Sequence, residues 1–149
     1  MTPESVFSAA STTALISWVL LTVRPRAAWV QRITGTIVPI AFALLYVAIL
    51  SMRLGRGGGD FNSLAGVAAL FSDPWTLLAG WVHYLAFDLL TGVWETRDAA
   101  QRGIPHWMVV PCLFLTFMLG PAGWLLYQIV RATRGTSSAT SATAGRDQS

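Results

Sequence analysis

The sequence predicts an all-α polytopic membrane protein: a bundle of four transmembrane helices, with a short interfacial helix between the second and third. Three observations predict it. Only 11% of the 149 residues are charged, against roughly 25% in a soluble domain. Four apolar runs recur, each near the ~20 residues that cross a hydrocarbon core of roughly 30 Å. The flanks of those runs hold Arg, and seven Trp in so short a chain suit a protein with two membrane interfaces, where indole rings settle.

The first run covers residues 5–23 and stops at Arg24-Pro25-Arg26. Its Ser8, Ser11, Thr12 and Thr13 bond back to helix carbonyls, so lipid tolerates them. No basic leader or small-residue cleavage site precedes Arg24, so this run is expected to be retained as a membrane helix. The second run covers residues 33–52 and stops at Arg53. A connector follows, flexible at Gly55, Gly57, Gly58 and Gly59. Its second half, residues 62–71, is apolar but too short to span, which predicts an interfacial or re-entrant helix.

Pro74 opens the third run, with Ser72 or Asp73 as the cap. This helix is expected over residues 74–94, followed by a polar segment from Glu95 to His106. The fourth run covers residues 107–130, with a kink expected near Pro121. The Ser-, Thr-, Ala- and Gly-rich tail, residues 135–149, is expected to be disordered. Residues 1–134 thus form the membrane domain.

Several function classes are excluded. The ten basic residues are all Arg and are scattered along the chain, with a net charge of +3. That is membrane-surface charge and not a nucleic-acid footprint. The single cysteine, Cys112, lies in an apolar run with no charged neighbour, so nucleophilic catalysis has no support. The glycines at 55–59 lack the Lys and the preceding strand of a phosphate loop. His83, Asp88, Glu95, Asp98 and His106 are potential metal ligands, but their spacing matches no site class, and no metal is expected.

The third helix carries the chemistry. At about 100° per residue, Trp81, Tyr84, Asp88, Thr91, Glu95 and Asp98 fall on one stripe. Hydrocarbon cannot satisfy such a face, so it must point into the bundle or a wet cavity. Asp88 at mid-span costs roughly 2.5–3.5 kcal/mol to insert. Read functionally, Asp88 is a general acid and Glu95 its partner base or second acid. Read structurally, each pairs with an Arg, a Tyr or an amide and locks the bundle. His83 lies about 140° around the helix from Asp88, so it is either a packing hydrogen-bond donor or a relay on a second surface. Trp94, Arg97, Asp98 and His106 border the site, or else form a solvated turn with weak ion pairs.

The blocks Leu78-Ala-Gly-Trp-Val-His-Tyr-Leu-Ala-Phe-Asp88, Trp94-Glu-Thr-Arg-Asp98, Gly103-Ile-Pro-His106, Val110-Pro-Cys112, Leu115-Thr-Phe117 and Leu119-Gly-Pro121 occur in that order. In this combination the chain resembles the abscisic-acid-deficient-4-like membrane proteins. The resemblance is strongest over residues 61–127 and extends to residues 7–25. It implies a polytopic membrane protein of carotenoid or other isoprenoid conversion. Plant members are needed to form neoxanthin from violaxanthin, a reaction that opens a 5,6-epoxide to an allenic alcohol. The resemblance brings motif positions and no settled set of catalytic residues. The chain departs from plant members in having no evident plastid transit extension. Its Arg-for-Lys, Ala-rich composition points to a bacterial plasma membrane.

The expectation is therefore a cofactor-independent, isomerase-like membrane enzyme acting on an apolar isoprenoid. Asp88, Glu95 and His83 are its catalytic candidates. Trp81, Tyr84, Thr91, Trp94, Arg97, Asp98 and His106 are its substrate-binding candidates. The rival is a non-catalytic carotenoid- or lipid-binding accessory protein, and a pore built by an oligomer is a third reading. The expected partners are membrane lipid and an isoprenoid ligand, with no nucleic acid. Four spans divide the Arg residues five against five: Arg53, Arg56, Arg131, Arg134 and Arg146 on one side, Arg24, Arg26, Arg32, Arg97 and Arg102 on the other. The positive-inside rule then favours neither orientation, and the dense Arg24 to Arg32 loop with the Arg-free N-terminus leans the reading to an N-terminus outside.

Overall fold

The computed structural model describes residues 2–53 and 58–144, with side chains described as far as residue 134. The expected flexibility at Gly55 and Gly57, and the last five residues of the expected disordered tail, lie outside the described residues. Among the described residues there are seven α-helices and one π-helical turn, and no strand.

Helix α1, Pro3–Val23, opens with Thr2 as cap and Pro3 in the first turn. Its Ser8, Thr13 and Ser17 hydroxyls bond to carbonyls one turn back at 2.7–2.9 Å, which satisfies them inside the helix. The next long helix, Ala28–Arg53, starts earlier than residue 33. It comprises α2 (Ala28–Arg32), a π-helical turn (Ile33–Ile37) and α3 (Val38–Arg53). The wide turn has a local cause. Pro39 has no amide for the Gly35 carbonyl, and one extra residue in the turn absorbs the broken ladder.

Helix α4, Leu64–Leu70, is the short helix expected in the connector, capped by the Ser63 hydroxyl. Helix α5, Pro74–Gln101, extends seven residues beyond the expected end at Trp94. The Thr76 amide and hydroxyl both donate to Asp73 Oδ1, at 2.9 and 3.0 Å. The amide bond is the main cause that holds the Asp73 carboxyl below its usual range, as an N-cap should. Helix α5 ends in a Schellman turn: Gly103 takes φ +67°, and the Ile104 amide reaches the Ala99 carbonyl at 2.9 Å.

The fourth apolar run is not one helix. It is α6 (His106–Leu119) and α7 (Pro121–Ala144), divided at Gly120. Gly120 adopts φ +46° and ψ −96°, a conformation open to glycine and costly for a side chain. Pro121 then restarts the helix, and the Gly120 carbonyl accepts from the Gly123 and Trp124 amides. The chain reverses here, where the sequence predicts only a kink. A Cβ on Gly123 would overlap the Thr116 amide, and Arg134 Nη2 lies 3.1 Å from Met108 Sδ. The two helices therefore run antiparallel as a hairpin.

Helix α5 is the hub. It packs against α1, α3 and both arms of the hairpin. Helix α3 runs antiparallel to it, pairing Tyr46 with His83 and Arg53 with Asp73. Helix α1 runs parallel to it, pairing Ser11 with Trp81 and Trp18 with Gly92. Helices Pro3–Val23, Ala28–Arg53 and Pro74–Gln101 are long and apolar enough to cross a membrane, and α6 is apolar but shorter.

Candidate functional site

The polar stripe on α5 meets α1 first and then the hairpin; Trp81 at its start is exposed, Tyr84, Asp88, Thr91 and Asp98 are half-buried, and Glu95 is buried. At its start Trp81 donates from Nε1 to Ser11 Oγ at 3.0 Å. Its ring stacks on Tyr84 and tilts against Phe7, with both centroids 5.5 Å away. These rings line a groove of about 580 Å³, closed by Phe71, Leu77 and the first turns of α1. Gly80 shapes the groove wall, because a Cβ there would strike the Phe71 ring. The Tyr84 hydroxyl lies within electrostatic reach of the Asp88 carboxyl one turn on, and Tyr84 is the last residue of α5 to line the groove.

Asp88 sits midway along α5, under the hairpin tip. A Cβ on Gly120 would lie 3.0 Å from Asp88 Oδ1. Glu95, two turns on, is fully buried at 0% exposure. Its Oε1 accepts the Thr116 hydroxyl of α6 at 2.9 Å. Asp88 and Glu95 are close enough for their charges to interact. Between them on the stripe lies Gly92, over which the Trp18 ring edge fits with no room for a Cβ. Phe117 holds that ring from the other side, 5.6 Å between centroids.

Three buried polar atoms have no hydrogen-bond partner among the described residues: Trp18 Nε1, Asp88 Oδ2 and Glu95 Oε2. Each such atom costs about 1–3 kcal/mol unless something satisfies it. All three belong to the layer where α1, α5 and the hairpin meet.

The other candidates separate from this centre. Asp98 is satisfied four times over. It accepts Tyr127 Oη at 2.8 Å, Arg131 Nε at 3.0 Å and Nη2 at 3.4 Å, and Arg102 Nε at 2.9 Å. Trp94 packs edge-on against Tyr127 and lies under the Arg131 guanidinium at 5.8 Å. Together these residues strap the end of α5 to α7. Asp98→Asn should weaken this strap, with about 1–2 kcal/mol of stability lost. Thermal unfolding in detergent checks this, and ligand retention at the Asp88 layer should be unchanged.

Arg97 points to the second long helix. It donates to Gln31 Oε1 at 2.6 Å and to the Gln31 carbonyl at 3.3 Å, and its head lies against Gly35 of the π-helical turn. Gln31 Nε2 in turn donates to Thr96 at 3.1 Å and the Pro25 carbonyl at 2.6 Å. His106 Nε2 meets the Thr22 carbonyl at 2.7 Å, tying α6 to the end of α1. Thr91 bonds back to the Phe87 carbonyl at 2.9 Å. His83 is exposed on the opposite side of α5, beside Phe87 and Tyr46 at 4.6 and 5.7 Å.

Trp81, Tyr84, Asp88 and Glu95 thus follow one another along one face of α5, with the groove lined as far as Tyr84, and His83, Arg97 and His106 lie apart from that face. Trp18, Thr116, Gly92 and Gly120 also belong to the centre, and no motif in the sequence marks them as site residues. The Gly120-Pro121 pair is the one signal available for the hairpin, because each half of residues 107–130 is too short to cross on its own. No group of three or more His, Cys, Asp or Glu able to hold a metal occurs among the described residues.

A family model described as ABA DEFICIENT 4-like matches residues 5–127. This chain belongs to the ABA DEFICIENT 4-like family. The match takes in both carboxylates, Trp18, Thr116 and the hairpin tip, and it ends at Tyr127. Protein ABA DEFICIENT 4, chloroplastic, of Arabidopsis thaliana is 30% identical over 110 residues, which is 68% of this chain and 50% of that protein. The chain therefore spans about half the length of the curated relative it matches. No solved structure matches it.

Proposed function

We propose that this ABA DEFICIENT 4-like protein is a membrane-embedded enzyme of carotenoid or isoprenoid conversion, working by acid–base catalysis without a bound cofactor. The observation that carries this reading is the pair Asp88 and Glu95. They are two carboxyls on one helix face, each with a buried oxygen that has no hydrogen-bond partner among the described residues, and Asp88 follows one turn after Tyr84, which lines the aromatic groove.

The chemistry fits these groups. An apolar epoxide in the groove stacks its chain on Phe7, Phe71 and Trp81, near Tyr84. The protonated carboxyl of the pair gives its proton to the epoxide oxygen as the C–O bond breaks. The other, as carboxylate, takes a proton from the neighbouring carbon, and the C–H electrons form the new double bond. One proton is given and one is taken, so the product is an isomer of the substrate. Transfer of the proton from the second carboxyl to the first resets the pair. Burial in a dry layer strengthens each of these interactions. The Arg-for-Lys composition supports a bacterial plasma membrane as the setting.

Purified protein incubated with an epoxy-carotenoid tests the reading, with extracted pigments separated and weighed by mass spectrometry. A product of unchanged mass is expected. Pigment that stays bound through purification with no new isomer favours the accessory, ligand-binding role instead.

A further inference from the structure

The hairpin changes how the chain sits in a membrane. Helix α6 has 14 residues, about 21 Å at 1.5 Å per residue. That is well short of the roughly 30 Å hydrocarbon core. The hairpin tip, Gly120, lies against Asp88, halfway along the 28-residue α5. Helix α7 then runs back toward the end of α5, where Tyr127 and Arg131 reach Asp98. An arm that turns at mid-depth and returns does not cross.

This reversal moves the C-terminal arginines to the other side. Arg131 and Arg134 now share an end with Arg24, Arg26 and Arg32 after α1, and with Arg97 and Arg102 at the end of α5. The opposite end, among the described residues, has Arg53 alone, beside the acids Glu4, Asp60 and Asp73. Among the described residues the arginines divide seven against one. Arg near membrane helix ends marks the cytoplasmic side, where anionic headgroups attract it by about 1 kcal/mol per residue.

We infer that the chain crosses the membrane three times, that residues 106–134 form a re-entrant hairpin, and that the arginine-rich end rests on the anionic cytoplasmic leaflet. The N-terminus faces away from the cytoplasm. The aromatic groove, lined by the first turns of α1 and α5, then opens toward the far leaflet. The groove's use as a ligand entrance rests on the function proposed above; the topology does not.

Three single cysteines in a Cys112→Ala background test the topology, because Cys112 is buried. Thr2→Cys, Gln101→Cys and Arg134→Cys are labelled in intact cells with a membrane-impermeant maleimide, then again after lysis. The inference expects Thr2→Cys to label in intact cells, and Gln101→Cys and Arg134→Cys only after lysis. Four full spans would put Thr2→Cys and Arg134→Cys on the same side, and that result overturns the hairpin. Labelling of Gln101→Cys and Arg134→Cys in intact cells, with Thr2→Cys protected, overturns the orientation. Should the Cys112→Ala background fail to insert, a fluorescent protein fused after residue 149 places the C-terminus instead: fluorescence supports the cytoplasmic placement of the arginine-rich end, and its loss with full-length protein present overturns the inference. No ligand enters these measurements, so their failure is distinct from failure of the proposed chemistry.

Discussion

Asp88→Asn is expected to lower turnover of an epoxy-isoprenoid by about 10²–10⁴-fold, the usual contribution of one positioned acid or base. The amide keeps the shape of the side chain and loses the transferable proton. Gly120 leaves room for either group, so the hairpin should close over the variant as it does over the native residue. Ligand retention should therefore change little while kcat falls. Glu95→Gln should give a similar loss, because the Thr116 hydroxyl can still donate to the amide oxygen at the position of Glu95 Oε1. If both variants bind less pigment and turn over the remainder normally, the two carboxyls bind ligand and do not catalyse.

Gly123→Ala is expected to have the largest effect on stability. The added methyl would overlap the Thr116 backbone and hydroxyl, so the hairpin arms must move apart. Overpacking of this kind costs about 1–3 kcal/mol. The same movement pulls Thr116 from Glu95 and leaves a buried carboxyl with neither oxygen paired, which raises the cost further. The thermal midpoint in detergent should fall by several degrees. Gly58→Ala is the control: nothing lies within 4 Å of a Cβ there, and its midpoint should match the parent. Equal midpoints for both variants would mean that the hairpin arms are not tightly packed.

Much of this architecture is legible in the residues. Apolar runs ending at Arg24 and Arg53 give the first two long helices, and Pro74 gives the start of α5. The 100° periodicity places Asp88 and Glu95 on one face and His83 on another, and the structure follows it. The hairpin is not legible, because hydropathy is the same whether an apolar run crosses or turns back. What separates the two outcomes is Gly120 at φ +46° and the bare face of Gly123, both tertiary matters. The end of α5 is hidden for a related reason. The polar segment from Glu95 reads either as the end of the stripe or as a solvated turn, and only the partners Thr116, Gln31, Tyr127 and Arg131 on other helices decide it. Trp18 carries no sequence signal at all. Its place follows from Gly92, distant in the chain, which leaves space for the ring.

Everything proposed for the chemistry depends on Asp88 and Glu95 acting as a proton-transfer pair that serves the aromatic groove. Bound pigment and product are therefore best followed together, in purified samples of the parent protein and of Asp88→Asn supplied with one epoxy-carotenoid. A proton-transfer pair requires pigment bound to both proteins, and an isomer of unchanged mass from the parent alone. An isomer produced at the parent rate by Asp88→Asn, or no isomer from a parent that binds pigment, contradicts it.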